Sequence, residues 1–227
     1  MAHHIVSFYQ FDLPPLVIRL QRAVFKKFGY NVQQLCWHHG QSDHAGMINE
    51  YLHSNTDWTS ITLVDADCVP FRADFLDKAL AYISDDNTLY GNIQASNVNS
   101  PDPAASSPPF VAPSFVNFTR KFWEESNCKN FEVTRYTNPV GVSLEADVGE
   151  VFTRENEKQG RRIIYAYPTH CPTDHTWKYT GNFDFKPFSY GNATEFESGM
   201  FHCFQVRIPD KRELLFYDYC LDMLLPS

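Results

Sequence analysis

Residues 61–71 read ITLVDADCVPF, an apolar run that stops at two acids separated by one residue. Ile61, Leu63 and Val64 have the aliphatic, β-branched character of a central strand, and Pro70 with the apolar-periodic stretch behind it marks the exit into a loop and then a helix. Asp65 and Asp67 therefore belong at the carboxyl end of a buried strand, where the sheet behind them holds them close. Two acids in that position repel each other, so a cation is their natural partner, and oxygen ligands favour magnesium or manganese. A plainer reading stands beside this one: Asp67 satisfies backbone amides in the loop ahead of a helix beginning near Arg72.

The segments around this strand define the fold class. IVSFYQ (5–10) reads as a first strand, and LVIRLQRAVFKKF (16–28) as an amphipathic helix with Leu16, Leu20, Val24 and Phe28 on one stripe, stopped by Gly29. NVQQLCW supplies a second strand, and DHAGMINEYLHSN a second helix capped by Ser42 or Asp43. This alternation predicts an α/β fold with parallel strands and a ligand crevice at their carboxyl ends. FRADFLDKALAYIS then predicts a helix and LYGNIQASNV a strand. Residues 99–109 predict an exposed loop or flap. Residues 113–126 predict a helix with Pro113 in its first turn and Phe115, Phe118 and Phe122 on its core face. A helix over about 148–159, a stop at Gly160 and the strand RIIYAY follow. Asp147 and Glu150 have capping-box spacing, which is a structural reading for Asp147. Beyond Pro168 the pattern is irregular.

With 227 residues and 43% hydrophobic composition the chain is sized for one core. No apolar run reaches membrane-spanning length, and MAHHIVSFYQ lacks the features of a signal peptide, so a cytoplasmic protein is expected. The six cysteines form no CxxC pair, which fits reduced thiols. A net charge of −8 argues against broad affinity for nucleic acid or anionic membrane.

In this order the segments resemble the GT-A glycosyltransferases. The resemblance rests on the strand-borne Asp65-x-Asp67, the strand-helix units before it, EADVGEVFTRENEKQGRRIIYAYP, and the late ESGMFHCFQVR. It implies a GT-A-like, Rossmann-type, mixed and mostly parallel sheet flanked by helices, in a single domain over 1–227. Residues 1–70 would form the nucleotide-donor half, and 71–227 the acceptor half with a C-terminal closing segment. It further implies Mn2+ or Mg2+ held by Asp65, Asp67 and His202, and a nucleotide-sugar donor, a UDP-sugar first among them. Asp147 or Glu145 would act as base toward an acceptor hydroxyl; the family's adjacent Glu-Asp pair is here interrupted by Ala146. Phe8 and Tyr9 would flank the donor base and Lys186, in FDFKPFSYGN, the phosphates. Each residue has an ordinary alternative: His202 as a core histidine between Phe201 and Phe204, Phe8 and Tyr9 as core aromatics.

The acceptor stays open between a glycan, a protein, a small metabolite and a modified nucleobase, the last weakened by the chain's acidity. Trp177, Tyr179 and Tyr190 are candidates for its binding surface. Two other functions compete. A haloacid-dehalogenase-like phosphohydrolase would use Asp65 as nucleophile and Asp67 as acid/base, with Val69 in a fitting position, although that family's motif sits on the first strand of its core. A noncatalytic, transferase-like binding protein would keep the cleft without turnover.

Overall fold

A computed structural model describes residues 2–37, 44–96, 107–137, 141, 143–173, 175–181, 183–204, 206 and 212–225. The first half alternates as the sequence predicts: β1 (His3–Gln10), α1 (Pro15–Lys27), β2 (Gln33–Trp37), α2 (His44–Ser54), β3 (Ser60–Asp65), β4 (Cys68–Pro70), α3 (Phe75–Ile83) and β5 (Thr88–Gln94). There follow β6 (Phe110–Thr119), α4 (Arg120–Glu125), β7 (Arg135–Thr137), β8 (Ser143–Glu145), α5 (Glu150–Lys158) and β9 (Arg162–Ala166). The last stretch holds β10 (Pro168–His170), β11 (His175–Tyr179), β12 (Phe188–Gly191), β13 (Ala193–Phe196), β14 (Met200–Cys203) and α6 (Arg212–Leu224).

The central sheet has the order β2-β1-β3-β6-β5-β9. β1 runs parallel to β2 and β3, and β5 parallel to β9, while β6 alone is antiparallel to its neighbours β3 and β5. The sheet is mixed and mostly parallel. Both its faces are buried, because successive strand residues feed opposite cores. Val6, Leu63, Leu89 and Val116 pack with α2, α4 and α5 around an aromatic group that includes Trp58, Phe118, Trp123 and Phe152. Ile5, Val64, Tyr90 and Phe115 pack on the other side with Phe25 of α1 and Phe75, Leu76 and Ala79 of α3. Burial of each such large side chain contributes about 1.5–3 kcal/mol.

Residues 113–126 depart from the predicted helix: the chain is a strand to Thr119 and turns helical only at Arg120, where the Thr119 hydroxyl caps α4 by accepting from the Phe122 amide. Because β6 is buried on both faces it shows no alternation, and the spacing of Phe115, Phe118 and Phe122 imitates a helical stripe. Its partner strand fits closely at Gly91, where a Cβ would lie 2.1 Å from the Phe115 carbonyl oxygen. Any side chain there would force β5 and β6 apart.

Other expectations shift in detail. In α1 the inward face is Val17, Leu20, Gln21 and Val24, while Leu16 is exposed, so the stripe is rotated by one residue from the predicted one. The predicted caps Ser42 and Asp43, and residues 99–106 of the predicted loop, lie outside the described residues. Residues 107–109 are buried rather than exposed, held by the hydrogen bond of Ser107 to Ser96. The region after Pro168 is not irregular: β10, β13, β14 and β4 form a second sheet in that order, and α6 packs through Phe216 and Cys220 against α1 and this sheet. None of the six cysteines forms a disulfide. Among the described residues no helix is long and apolar enough to cross a membrane.

Candidate active site

Asp65 is the last residue of β3, level with Phe8 of β1. The chain then turns through Ala66 and Asp67 and leaves along β4, which pairs antiparallel with β14 so that Cys68 stands opposite His202. The turn is clamped from beneath. The buried Gln21 of α1 donates from Nε2 to the carbonyls of Asp65 (2.7 Å) and Cys68 (3.0 Å), and its Oε1 accepts from Gln34 (2.8 Å). The Cys203 amide donates to the Asp67 carbonyl at 2.9 Å. The two acids thus project from a turn whose Asp65 and Asp67 carbonyls are already occupied.

Into this turn β14 brings His202. Its Nε2 lies 3.1 Å from Asp67 Oδ1 and 3.7 Å from Asp65 Oδ2, and the ligand atoms of all three residues fall within 4.8 Å of one another. The ring is 4% exposed and packs on Phe204 with centroids 3.9 Å apart. Burial pushes its pKa down, but the Asp67 and Asp65 carboxylates outweigh burial and leave it raised. Nδ1 is buried and makes no hydrogen bond among the described residues, so the polar business of this ring is all at Nε2, on the carboxylate side. Two carboxylates and one imidazole nitrogen, converging from a turn and a paired strand, fit a divalent cation. The plainer reading of His202 holds as well, since it is a packed core residue, whereas the backbone amide that donates to Asp67 Oδ2, at 3.4 Å, belongs to Val206 after β14 and not to the loop ahead of α3.

Across the same cleft, about 350 Å³ in volume, stands Asp147. It precedes α5, whose cap position is Gly149 at φ +82°, not Asp147 as the capping-box spacing predicts. A Cβ on Gly149 would also press the Val111 carbonyl oxygen at 3.3 Å. The reach-back half of the box is present, since the fully buried Glu150 accepts the Asp147 amide at Oε2 (3.0 Å) and a hydrogen bond from Ser96 (2.8 Å). The Asp147 carboxylate accepts from the Val148 amide at Oδ1 (2.8 Å) and from Gln94 Nε2 at Oδ2 (3.2 Å). Burial raises its pKa, the Val148 amide lowers it, Glu150 and Asp65 raise it, and His44 lowers it; the balance is upward. A carboxyl with its pKa raised in this way is a stronger base than an ordinary aspartate and is suited to take up a proton.

The remaining sequence candidates are distributed unevenly. Phe8 and Tyr9 line the cleft, although Phe8 is also a core residue packed edge-on against Tyr51. Glu145 ends β8, exposed and opposite Arg135, and is not among the residues lining the cleft. Lys186 is exposed in a separate groove, its ammonium 3.7 Å from the centre of the Tyr167 ring. Tyr179 and Tyr190 are buried under Phe188, Trp177 and Phe204 and offer no open platform. His44, Gln94 and Gln21 were not singled out by sequence; no spacing marks them, because α2, β5 and α1 are brought together only in three dimensions.

A strand-end Asp-x-Asp, a histidine closing on it from a late strand, and an acid ahead of a helix on the facing wall form the layout that the GT-A resemblance implies. The chain matches no protein-family model and no curated protein. Among solved structures it is similar to the catalytic domain of Drosophila β1,4-galactosyltransferase 7 in complex with xylobiose, at 15% identity and a TM-score of 0.45, over 72% of this chain and 65% of that one. It is also similar to A197 from STIV (13%, TM-score 0.42, 70% of this chain and 80% of that). A third similar structure is a glycosyltransferase involved in glycosylation of the major capsid of PBCV-1 (12%, TM-score 0.36, 55% and 62%). With TM-scores below 0.5, none of these likenesses bears on what the chain acts upon.

Proposed function

We propose that the chain is a metal-dependent glycosyltransferase that moves a sugar from a nucleotide-sugar donor, a UDP-sugar, to a hydroxyl acceptor. The observation that carries this reading is the convergence of Asp65, Asp67 and His202 within 4.8 Å on one wall of a cleft whose other wall holds Asp147. A divalent ion bound by the three would supply charge neutralisation to the diphosphate. Asp65, Asp67 and His202 would hold that ion. Asp147 accepts the proton of the acceptor hydroxyl as its oxygen bonds to the anomeric carbon; the bond from that carbon to the phosphate oxygen breaks, and its electron pair leaves with the nucleoside diphosphate. Phe8 and Tyr9 line the end of the cleft against which the donor base would pack.

The phosphohydrolase alternative asks Asp65 to attack phosphorus as a free nucleophile. The approach of His202 and of His44 to its two oxygens favours a ligand role instead. The test is a thermal-shift screen of nucleoside diphosphates and nucleotide sugars with and without Mn2+, followed by assay of UDP release from the sugar nucleotide that binds. Mn2+-dependent binding and UDP release that rises with a glycan or hydroxylated-base acceptor support the transferase. Binding without release under any acceptor would indicate a noncatalytic protein, and hydrolysis of a simple phosphate ester would indicate the phosphatase.

A further inference from the structure

His44 is the first residue of α2 and sits over Phe8, with ring centroids 6.3 Å apart. Its Nε2 lies 3.5 Å from Asp65 Oδ1, whereas His202 Nε2 lies 3.7 Å from Oδ2 of the same carboxylate. Each oxygen of Asp65 therefore has an imidazole nitrogen close to it. No Lys or Arg lines the cleft among the described residues, so bracing of its acids falls to imidazole, amide and backbone donors. The field of His44 also reaches Asp147 on the facing wall, where it opposes the upward push of burial. A carboxylate left free to rotate presents either oxygen, or both, to an incoming cation. A donor fixed on Oδ1 removes that freedom, and such outer partners tune metal affinity without touching the metal.

We infer that His44 is a positioning residue: through the close approach of its Nε2 to Asp65 Oδ1 it turns Oδ2 toward Asp67 and His202, and so sets the affinity of the cation site from outside the ligand set. The role rests on the metal-dependent reading above, but it is tested by binding alone. Metal-stripped wild-type protein and variants are titrated with Mn2+ and followed by the electron paramagnetic resonance of the free and bound ion, with thermal melts in parallel. His44→Ala weakens Mn2+ binding by about tenfold. His44→Gln, whose amide nitrogen falls where the imidazole Nε2 lies, restores most of it, and His44→Asn, too short to reach Oδ1, does not. Since the core of α2 is made by Ala45, Ile48, Tyr51 and Leu52, all variants melt close to wild type. If His44→Ala fails to fold, the Gln and Asn pair carries the test alone. Wild-type affinity in His44→Ala or His44→Asn, or Gln as weak as Asn, overturns the inference while Asp67→Asn still loses the ion. If wild-type protein binds no Mn2+, or Asp67→Asn binds it as tightly as wild type, the metal reading falls and this role with it.

Discussion

The two walls of the cleft use the same side chain for opposite ends. On one wall the carboxylates of Asp65 and Asp67 face the imidazole of His202 across a turn pinned by Gln21 and the Cys203 amide. On the other, the half-buried Asp147 stands beside a second acid, Glu150, and accepts from the Val148 amide and the neutral Gln94. Burial beside a like charge makes the Asp147 carboxyl hold its proton longer. In the proposed reaction the acids beside His202 bind the cation and the acid beside Glu150 moves the proton.

The largest effect expected from breaking that contrast is at the first wall. Asp65→Asn or Asp67→Asn should abolish Mn2+ binding in titration and lower sugar transfer about 10³-fold. At the second wall, Asp147→Asn should lower transfer about 10²–10³-fold while Mn2+ and UDP affinities stay at wild-type values. Its stability should move the other way. The folded pKa of Asp147 is raised, so the stability it contributes is present below the ordinary carboxyl pKa and is lost as pH rises through the folded value. At neutral pH the ionised group opposes folding, and the Asn variant should melt at or above wild type. An Asp147→Asn protein that loses Mn2+ would erase the distinction between the walls. In wild type, transfer should rise with pH through a midpoint above the usual aspartate range, and this limb should be missing from the residual activity of Asp147→Asn.

Smaller changes sharpen the same contrast through the supports. Gln21→Leu leaves the Asp65 and Cys68 carbonyls without their donor and should cost about 1–3 kcal/mol in chemical denaturation, with a several-fold loss of Mn2+ affinity. Gln94→Leu removes a donor to the ionised form of Asp147, so the midpoint of the pH–rate profile should move upward with the melting temperature little changed. That hydrogen bond contributes about 1 kcal/mol, and an unmoved midpoint would separate Gln94 from the acid.

The first three strands and two helices were legible because each strand is a compact apolar run and each helix has one apolar stripe, and local pattern suffices for both. β6 reads as a helix in the sequence because burial on two faces removes the alternation that identifies a strand. β10, β13 and β14 are three or four residues long and carry no local period, so only their pairing makes them strands. The same divide runs through the site. Asp65 and Asp67 stood out because acids interrupt an apolar run, and His202 because it lies in a late segment matching the resemblance. Gln21 and Gln94 are neutral residues within ordinary elements, and His44 is a polar residue at a helix start, where such residues are common. Their partners are set by how α1, β5 and α2 pack around the end of β3, which no local pattern records.

The central claim is that the Asp65, Asp67 and His202 wall carries the donor diphosphate through a divalent ion. Isothermal titration of UDP into the protein, in Mn2+ and in EDTA, measures it directly. Without the ion the acids repel the diphosphate, so UDP should bind at least tenfold more weakly in EDTA, a difference of about 1.4 kcal/mol or more. Asp67→Asn in Mn2+ should reproduce the EDTA value. Equal affinity in Mn2+ and EDTA would contradict the account.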